Sequence, residues 1–227
     1  MCGRYTLAVP LSNLVDAFDV PPPEFEHRPR YNIAPTQEVP VLAQDDRGRR
    51  MGLLRWGLIP SWAKDPAMGS RLINARSETV AEKPSFRSAF RRRRCLVPAD
   101  GFFEWKREEG QGGKPTKTPF WIPRRDREIF TFAGLWEPWE PEGGPPVHTY
   151  NRLTTEAAPG IAHLHPRMPV ILDPQAREFW LAAGSDPSSL QSLLRPYESR
   201  DLQAFPVSTL VNSPKNDDPA CIEAAGS

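Results

Sequence analysis

Several things are scarce in this sequence, and each scarcity excludes something. No apolar run approaches the roughly 20 residues that a bilayer-spanning helix needs, so a helical membrane protein is not expected. The formal net charge is +1, which removes bulk attraction to polyanions as a reason to bind nucleic acid. Any such surface has to come from gathering arginines on one face. Cysteine is sparse: Cys2, Cys95 and Cys221 form an odd set of three, too few for a disulfide framework and suited to a reducing compartment. The opening Met1-Cys2-Gly3-Arg4-Tyr5-Thr6 has no basic segment followed by an apolar one, so it does not read as a secretory signal. Histidine is also rare, and the pair His163 and His165 lacks the cysteine spacing of a zinc site. Neither a metal nor a cofactor is expected. The expectation is a soluble, cytoplasmic, nucleoid-associated monomer with no membrane partner.

Proline and aromatic residues are plentiful, which favours short strands and defined turns over long helices. Strand patterns cover 39–43, 51–56, 96–97, 102–105, 119–122, 129–135, 147–154, 170–172 and 204–208, with a turn at Asp45-Asp46-Arg47-Gly48. The stretches 110–115 and 140–146 read as exposed hairpin loops. Leu11, Leu14, Val15 and Phe18 have helical spacing over 10–18, and Phe86, Ala89 and Phe90 share another helical face. Thr79-Val80-Ala81-Glu82 has the form of a capping box opening a helix kept short by Pro84. Asp173-Pro174 and Asp186-Pro187 each place an acidic N-cap before a first-turn proline. The whole chain, 1–227, reads as one α+β domain with a mainly antiparallel, barrel-like β-sheet and peripheral helices. Residues 216–227 read as a C-terminal tail. Arg87 with Arg91, Arg92, Arg93 and Arg94 is the densest basic cluster, either a nucleic-acid face or a solvated helix end. His27 and His148 read as surface residues.

Cys2 carries the chemical signal. Removal of Met1, which is general before a small residue, leaves a 1,2-aminothiol at the chain start. Its amine has an unperturbed pKa of ~8 and its thiol ~8.5, so part of the amine is neutral near pH 7. With an aldehyde the amine forms an imine, and the thiol closes a thiazolidine ring that protects the imine from hydrolysis. An internal cysteine cannot do this, because its nitrogen is an amide. By position alone, Cys2 is more simply an ordinary small residue after the initiator.

The remaining motifs change that weighting. Met1-Cys2-Gly3-Arg4-Tyr5, Tyr31-Asn32-Ile33-Ala34-Pro35-Thr36, Trp56-Gly57-Leu58-Ile59-Pro60-Ser61-Trp62 and Asn74-Ala75-Arg76-Ser77-Glu78-Thr79 occur in order. They are followed by the block from Cys95-Leu96-Val97-Pro98 to Phe102-Phe103-Glu104-Trp105, then Phe132-Ala133-Gly134-Leu135-Trp136. Thr154-Thr155-Glu156-Ala157, His165-Pro166-Arg167-Met168-Pro169 and Val207-Ser208 with Val211-Asn212 close the series. Together they resemble the SRAP family, the SOS response-associated peptidases or abasic-site processing proteins.

The resemblance implies that Cys2 crosslinks covalently to the ring-opened sugar of an abasic site in single-stranded DNA, and that an N-terminal extension, where present, is self-cleaved. It makes Glu104 the acid–base group beside the Cys2 amine. His165 becomes the promoter of sugar ring opening, and Asn74 the hydrogen-bonding partner of the adduct. Arg4, Arg76 and Arg167 become phosphate clamps, Trp62 and Met68 base-stacking or wedging groups, and Gly3, Pro35 and Thr154 groove-lining residues. Taken singly, each has a plainer reading: Asn74 as turn chemistry, Trp62 as core packing, Glu104 as an exposed strand residue. Two other functional classes remain open. One is a cysteine peptidase or amidohydrolase with Cys2 as N-terminal nucleophile; the other is a noncatalytic single-strand-binding module.

Overall fold

The computed structural model describes residues 3–109, 113 and 115–225, and only the backbone of residue 199. Cys2 lies outside the described residues, as does most of the expected loop 110–115. In chain order the elements are β1 (Arg4–Leu7), α1 (Leu11–Phe18), β2 (Arg30–Ile33), β3 (Glu38–Asp45), β4 (Gly48–Trp56), β5 (Asn74–Arg76), α2 (Arg87–Arg92), β6 (Arg94–Ala99), β7 (Gly101–Glu109) and β8 (Pro115–Pro123). They continue with β9 (Phe130–Trp139), β10 (Val147–Glu156), β11 (Arg167–Pro169), β12 (Ile171–Leu172), α3 (Pro174–Leu181), α4 (Pro187–Ser192) and β13 (Phe205–Pro206). This is an α+β domain, mostly strands with short helices. Among the described residues no helix is long and apolar enough to cross a membrane.

The larger sheet closes on itself. β4 pairs with β3, β3 with β6, β6 with β9, β9 with β10, and β10 returns to β4. The result is a ring of five strands, not a regular barrel. Its pairings are antiparallel except that of β10 with β4; off the ring, β10 also runs parallel to β5. Every residue of β10 from Thr149 to Thr155 is buried. A strand enclosed on both faces loses the polar alternation of a half-exposed one. Its polar groups find partners instead. The Tyr150 and Tyr5 hydroxyls bond at 2.9 Å, and Thr149 Oγ1 accepts from the Ile59 backbone N–H at 2.9 Å.

The second sheet has the order β13-β8-β7-β1-β2. Alternation along β7 sends neighbouring phenylalanines into different cores. Phe102 packs edge-on against Phe132, ring centroids 6.1 Å apart, in the main core. Phe103 packs on the opposite face with Trp121, Val207, Val211 and Cys221. That outer face needs a cover, and the closing segment supplies it. The Asp217 carboxylate accepts from the backbone N–H groups of Tyr31 and Asn32 at 2.6 and 2.9 Å and pairs with Arg30. Cys221 is buried, and Ala224 bridges Val207. The stretch from 216 to 225 is therefore folded against the sheet, which corrects its reading as a tail.

Two further expectations are corrected, for Thr79 and His27, and the two readings of the arginine run are narrowed. Thr79 opens no helix: Ser77–Thr79 is a 3-10 turn, and Thr79 Oγ1 has no hydrogen-bond partner among the described residues. Pro84 disfavours helical backbone at Lys83, so α2 starts only at Arg87. The arginine run is not a single basic face. Arg94 is buried and donates to the carbonyls of Phe90, Arg91, Trp180 and Ala182 at 2.6–3.0 Å, tying α2 to the end of α3. Arg93 pairs at 2.5 Å with the buried Glu137, leaving Arg91 and Arg92 exposed. His27 is half-buried, and burial lowers its pKa, whereas His148 is exposed beside Trp136. The two expected aspartate caps form: Asp173 accepts from Ala176 N–H and Asp186 from Ser189 N–H, at 2.8 and 3.0 Å.

Candidate functional site

Glu104 and His165 meet in one cleft of about 800 Å³, lined also by Arg4, Trp105, Arg107 and Lys117. β1 runs antiparallel to β7 with Arg4 opposite Phe103. The described chain thus starts, at Gly3, alongside the part of β7 that carries Glu104. Strand alternation puts Glu104 on the face of Phe102, toward the main core, and leaves it only 3% exposed. Its Oε1 has no hydrogen-bond partner among the described residues. Burial pushes the carboxyl pKa up to about 7, and nearby positive charge, that of Arg152 included, pulls it partly back. Such a group holds and releases a proton near neutrality.

Arg152 is the residue the sequence reading missed. It is fully buried, its guanidinium carbon 4.0 Å from the Trp56 ring centroid, 4.9 Å from that of Tyr5 and 5.0 Å from that of Phe132. Aromatic faces compensate part of the cost of burying a cation. A clue was present: an arginine amid Tyr150, Asn151 and Leu153 in a strand pattern, a residue type seldom fully buried without a purpose. In the ladder it stands opposite Asn74, which links the Glu104 environment to β5.

His165 is half-exposed, its Nδ1 3.0 Å from the Arg167 backbone N–H. Burial lowers its pKa, and the charges of Arg107 and Arg167 act in the same direction. Burial thus favours the neutral ring, and Nδ1 also lies 3.2 Å from the Arg167 carbonyl oxygen.

The remaining expected residues divide into two groups. Asn74, Arg76, Thr154 and Arg167 gather where β5, β10 and β11 adjoin, Arg76 opposite Thr154 and Arg167 opposite Glu156. Arg76 is exposed. The Arg167 guanidinium grips both oxygens of Glu78, at 2.5 and 2.9 Å, and donates to the Thr154 carbonyl at 2.6 Å. This contact holds the Glu78 pKa down. The carboxylate occupies the fork that a phosphate would use. Arg4 lines the cleft, yet its guanidinium donates to Asn32 Oδ1, the Val211 carbonyl and the Asn212 carbonyl at 2.9, 2.8 and 3.2 Å. It thereby fastens β1 to the closing segment.

Pro35, Trp62 and Met68, like Asn74, Arg76, Thr154 and Arg167, lie outside the cleft lining. Pro35 sits in a turn beside Thr36, which adopts φ 74°, an uncommon conformation for a β-branched residue. Trp62 is 57% exposed, so core packing does not explain it, whereas Met68 packs against the small cluster of Ile59, Ala63 and Trp139. The loop carrying both is held to the end of β4 by a backbone approach of two glycines. A Cβ on Gly69 would lie 2.7 Å from the Gly57 carbonyl oxygen. Gly69→Ala is therefore expected to cost about 1–3 kcal/mol in chemical denaturation. An unchanged midpoint would show that the loop is not held there.

A family model described as SOS response associated peptidase (SRAP) matches residues 1–214. The chain is 44% identical over 227 residues to the abasic site processing protein YoqW of Bacillus subtilis, covering 99% of this chain and 100% of that one. It is 36% identical to the abasic site processing protein HMCES of Gallus gallus, over 88% of this chain and 67% of that one. Among solved structures, a protein from Bacteroides thetaiotaomicron aligns over 99% of this chain and 100% of its own, with a TM-score of 0.85 at 25% identity. Another from Bordetella bronchiseptica aligns with a TM-score of 0.76 at 27% identity, over 91% of this chain and 100% of its own.

Proposed function

The chain belongs to the SOS response-associated peptidase family, and from that premise we propose that it processes abasic sites by capturing them covalently through Cys2 in single-stranded DNA. The observation that carries this reading is the pairing of Glu104 and His165, two proton-transfer groups suited to neutral pH, in one cleft beside the start of the described chain. Cys2 directly precedes Gly3 in the sequence. Removal of Met1 gives Cys2 a free amine. That amine adds to the aldehyde of the ring-opened sugar, and loss of water leaves an imine. The sulfur then bonds to the same carbon as the thiol proton moves to nitrogen, closing the ring.

Each step moves a proton, and the cleft supplies the groups. His165 promotes sugar opening at the hemiacetal oxygen. Glu104 takes a proton from the amine and gives one to the departing hydroxyl. Asn74 offers both a donor and an acceptor to the adduct, Arg76 is exposed for phosphate, and Trp62 for stacking on a neighbouring base. The other thiols are poor candidates: burial raises the pKa of both Cys95 and Cys221, and the thiolate is the reactive form.

The test is a denaturing gel after incubation with an abasic single-stranded oligonucleotide, followed by mass spectrometry. The expected result is a heat-resistant band whose mass equals protein without Met1 plus DNA minus one water. Absence of that band overturns the proposal; cleavage of a peptide substrate in its place favours an amide-hydrolysing N-terminal cysteine, and salt-sensitive binding with neither favours a noncatalytic module.

A further inference from the structure

Arg107 on β7 stands directly opposite Lys117 on β8. Directly opposed side chains in an antiparallel pair have Cβ atoms about 5 Å apart, and like charges so placed destabilise the sheet. Both side chains are exposed, and both line the cleft that holds Glu104 and His165. Neither has an ion-pair partner among the described residues. Glu109 shares their face of β7 by alternation but makes no ion pair with either. The other face of the same hairpin is neutralised: Lys106 pairs with Glu108 at 2.8 Å, and Thr118 donates to the same carboxylate at 3.1 Å. An uncompensated cation pair thus faces the cleft while its neighbours are compensated. Trp105, two residues before Arg107, adds an aromatic wall, its indole N–H fixed on Asn212 Oδ1 at 2.7 Å.

We propose that Arg107 and Lys117 form a subsite for the sugar–phosphate backbone of single-stranded DNA entering or leaving the cleft. A backbone phosphate between the two cations turns a repulsive pair into a bridged one, and so offsets a cost the free protein carries. The contact is to phosphate, so it adds affinity without base preference. Arg107 also acts in the neighbourhood of His165, where its charge opposes protonation of the ring; a phosphate on Arg107 weakens that opposition as DNA arrives. This inference rests on the proposed function for its ligand, but its test does not need the covalent step.

The experiment measures equilibrium binding of a fluorescent single-stranded oligothymidylate lacking any abasic site, across a salt series, for wild type, Arg107→Gln/Lys117→Gln and Lys117→Glu. The double variant is expected to bind about tenfold more weakly at low salt. Its plot of log K against log salt should be shallower by about 1.4, the loss of two single-strand phosphate contacts. Lys117→Glu should weaken binding while raising the melting temperature, because it replaces the repulsive pair by an attractive one. A structural role for Lys117 gives the opposite sign in melting. Wild-type affinity and salt slope in the double variant, or a lowered melting temperature in Lys117→Glu, overturns the subsite. Failure of the abasic crosslinking assay with normal oligothymidylate binding overturns the proposed function and leaves the subsite standing.

Discussion

Cys2→Ala is expected to abolish the heat-stable adduct with abasic single-stranded DNA while leaving fold and noncovalent DNA binding unchanged. The variant keeps a free amine at the chain start, so it still forms an imine. The imine has no sulfur to close on and hydrolyses during denaturation. Borohydride added during incubation should reduce it and restore a covalent band. Cys2→Ser should behave almost the same way. A noncleavable tag before Cys2 turns the amine into an amide and should remove both the spontaneous band and the trapped one. These three results separate the need for the thiol from the need for the amine. A heat-stable band of wild-type intensity in Cys2→Ala, without reductant, would falsify the ring mechanism.

The second large effect is expected at Glu104, and it has two signs. Glutamine keeps the shape and removes the exchangeable carboxyl proton, so the crosslinking rate should fall by about 100- to 10,000-fold, the usual range for a lost acid–base group. The pH–rate profile of wild type should bend near 7, where burial places the Glu104 pKa, and that bend should be missing in Glu104→Gln. Stability should move the other way. The folded carboxyl holds its proton up to about pH 7, from an ordinary value of 4.5, whereas the unfolded chain has already released it. A raised pKa of this kind contributes stability below the unfolded value and loses it as pH climbs through the folded one. Wild type should therefore lose up to on the order of 3 kcal/mol between pH 4.5 and pH 8 from this group, and Glu104→Gln should not. Denaturant titrations at the two pH values read the difference directly. Parallel stability curves for the two proteins would mean that Glu104 ionises as an exposed carboxylate does.

A costly buried acid is the pattern expected where activity needs an environment that folding alone would avoid. Its neighbour Arg152 belongs to the same account. Burying a cation in a cage of Trp56, Tyr5 and Phe132 is costly, and its charge acts on the Glu104 carboxyl.

Local chemistry made much of the fold legible. The aspartate–proline caps at Asp173 and Asp186 act through hydrogen bonds three residues away, and the Asp45–Gly48 turn joins adjacent strands; such contacts are written in neighbouring residues. β1, β2, β5 and β11 were not seen as strands. They span only three or four residues each, too few to establish a period, and they are strands because a partner from far along the chain lies beside them. The apparent tail after 216 was misjudged for the same reason. Asp217 seeks the backbone of Tyr31 and Asn32, some 185 residues earlier in the chain, and nothing near Asp217 in sequence announces it.

The sequence by itself supplied the groups the proposal uses: a cysteine at position 2, a carboxyl and an imidazole in recognisable motifs, and the residue types for an α+β domain. Bonding capacity belongs to a side chain wherever it lies. Only the tertiary structure decided the state in which those groups work. It buried Glu104 until its pKa reached neutrality, engaged the Arg167 fork with Glu78, gave Arg4 a structural task, and set Arg107 against Lys117 at the cleft. Desolvation, charge proximity and strand register depend on distances between residues remote in sequence, and those distances exist only once the chain has closed its sheets.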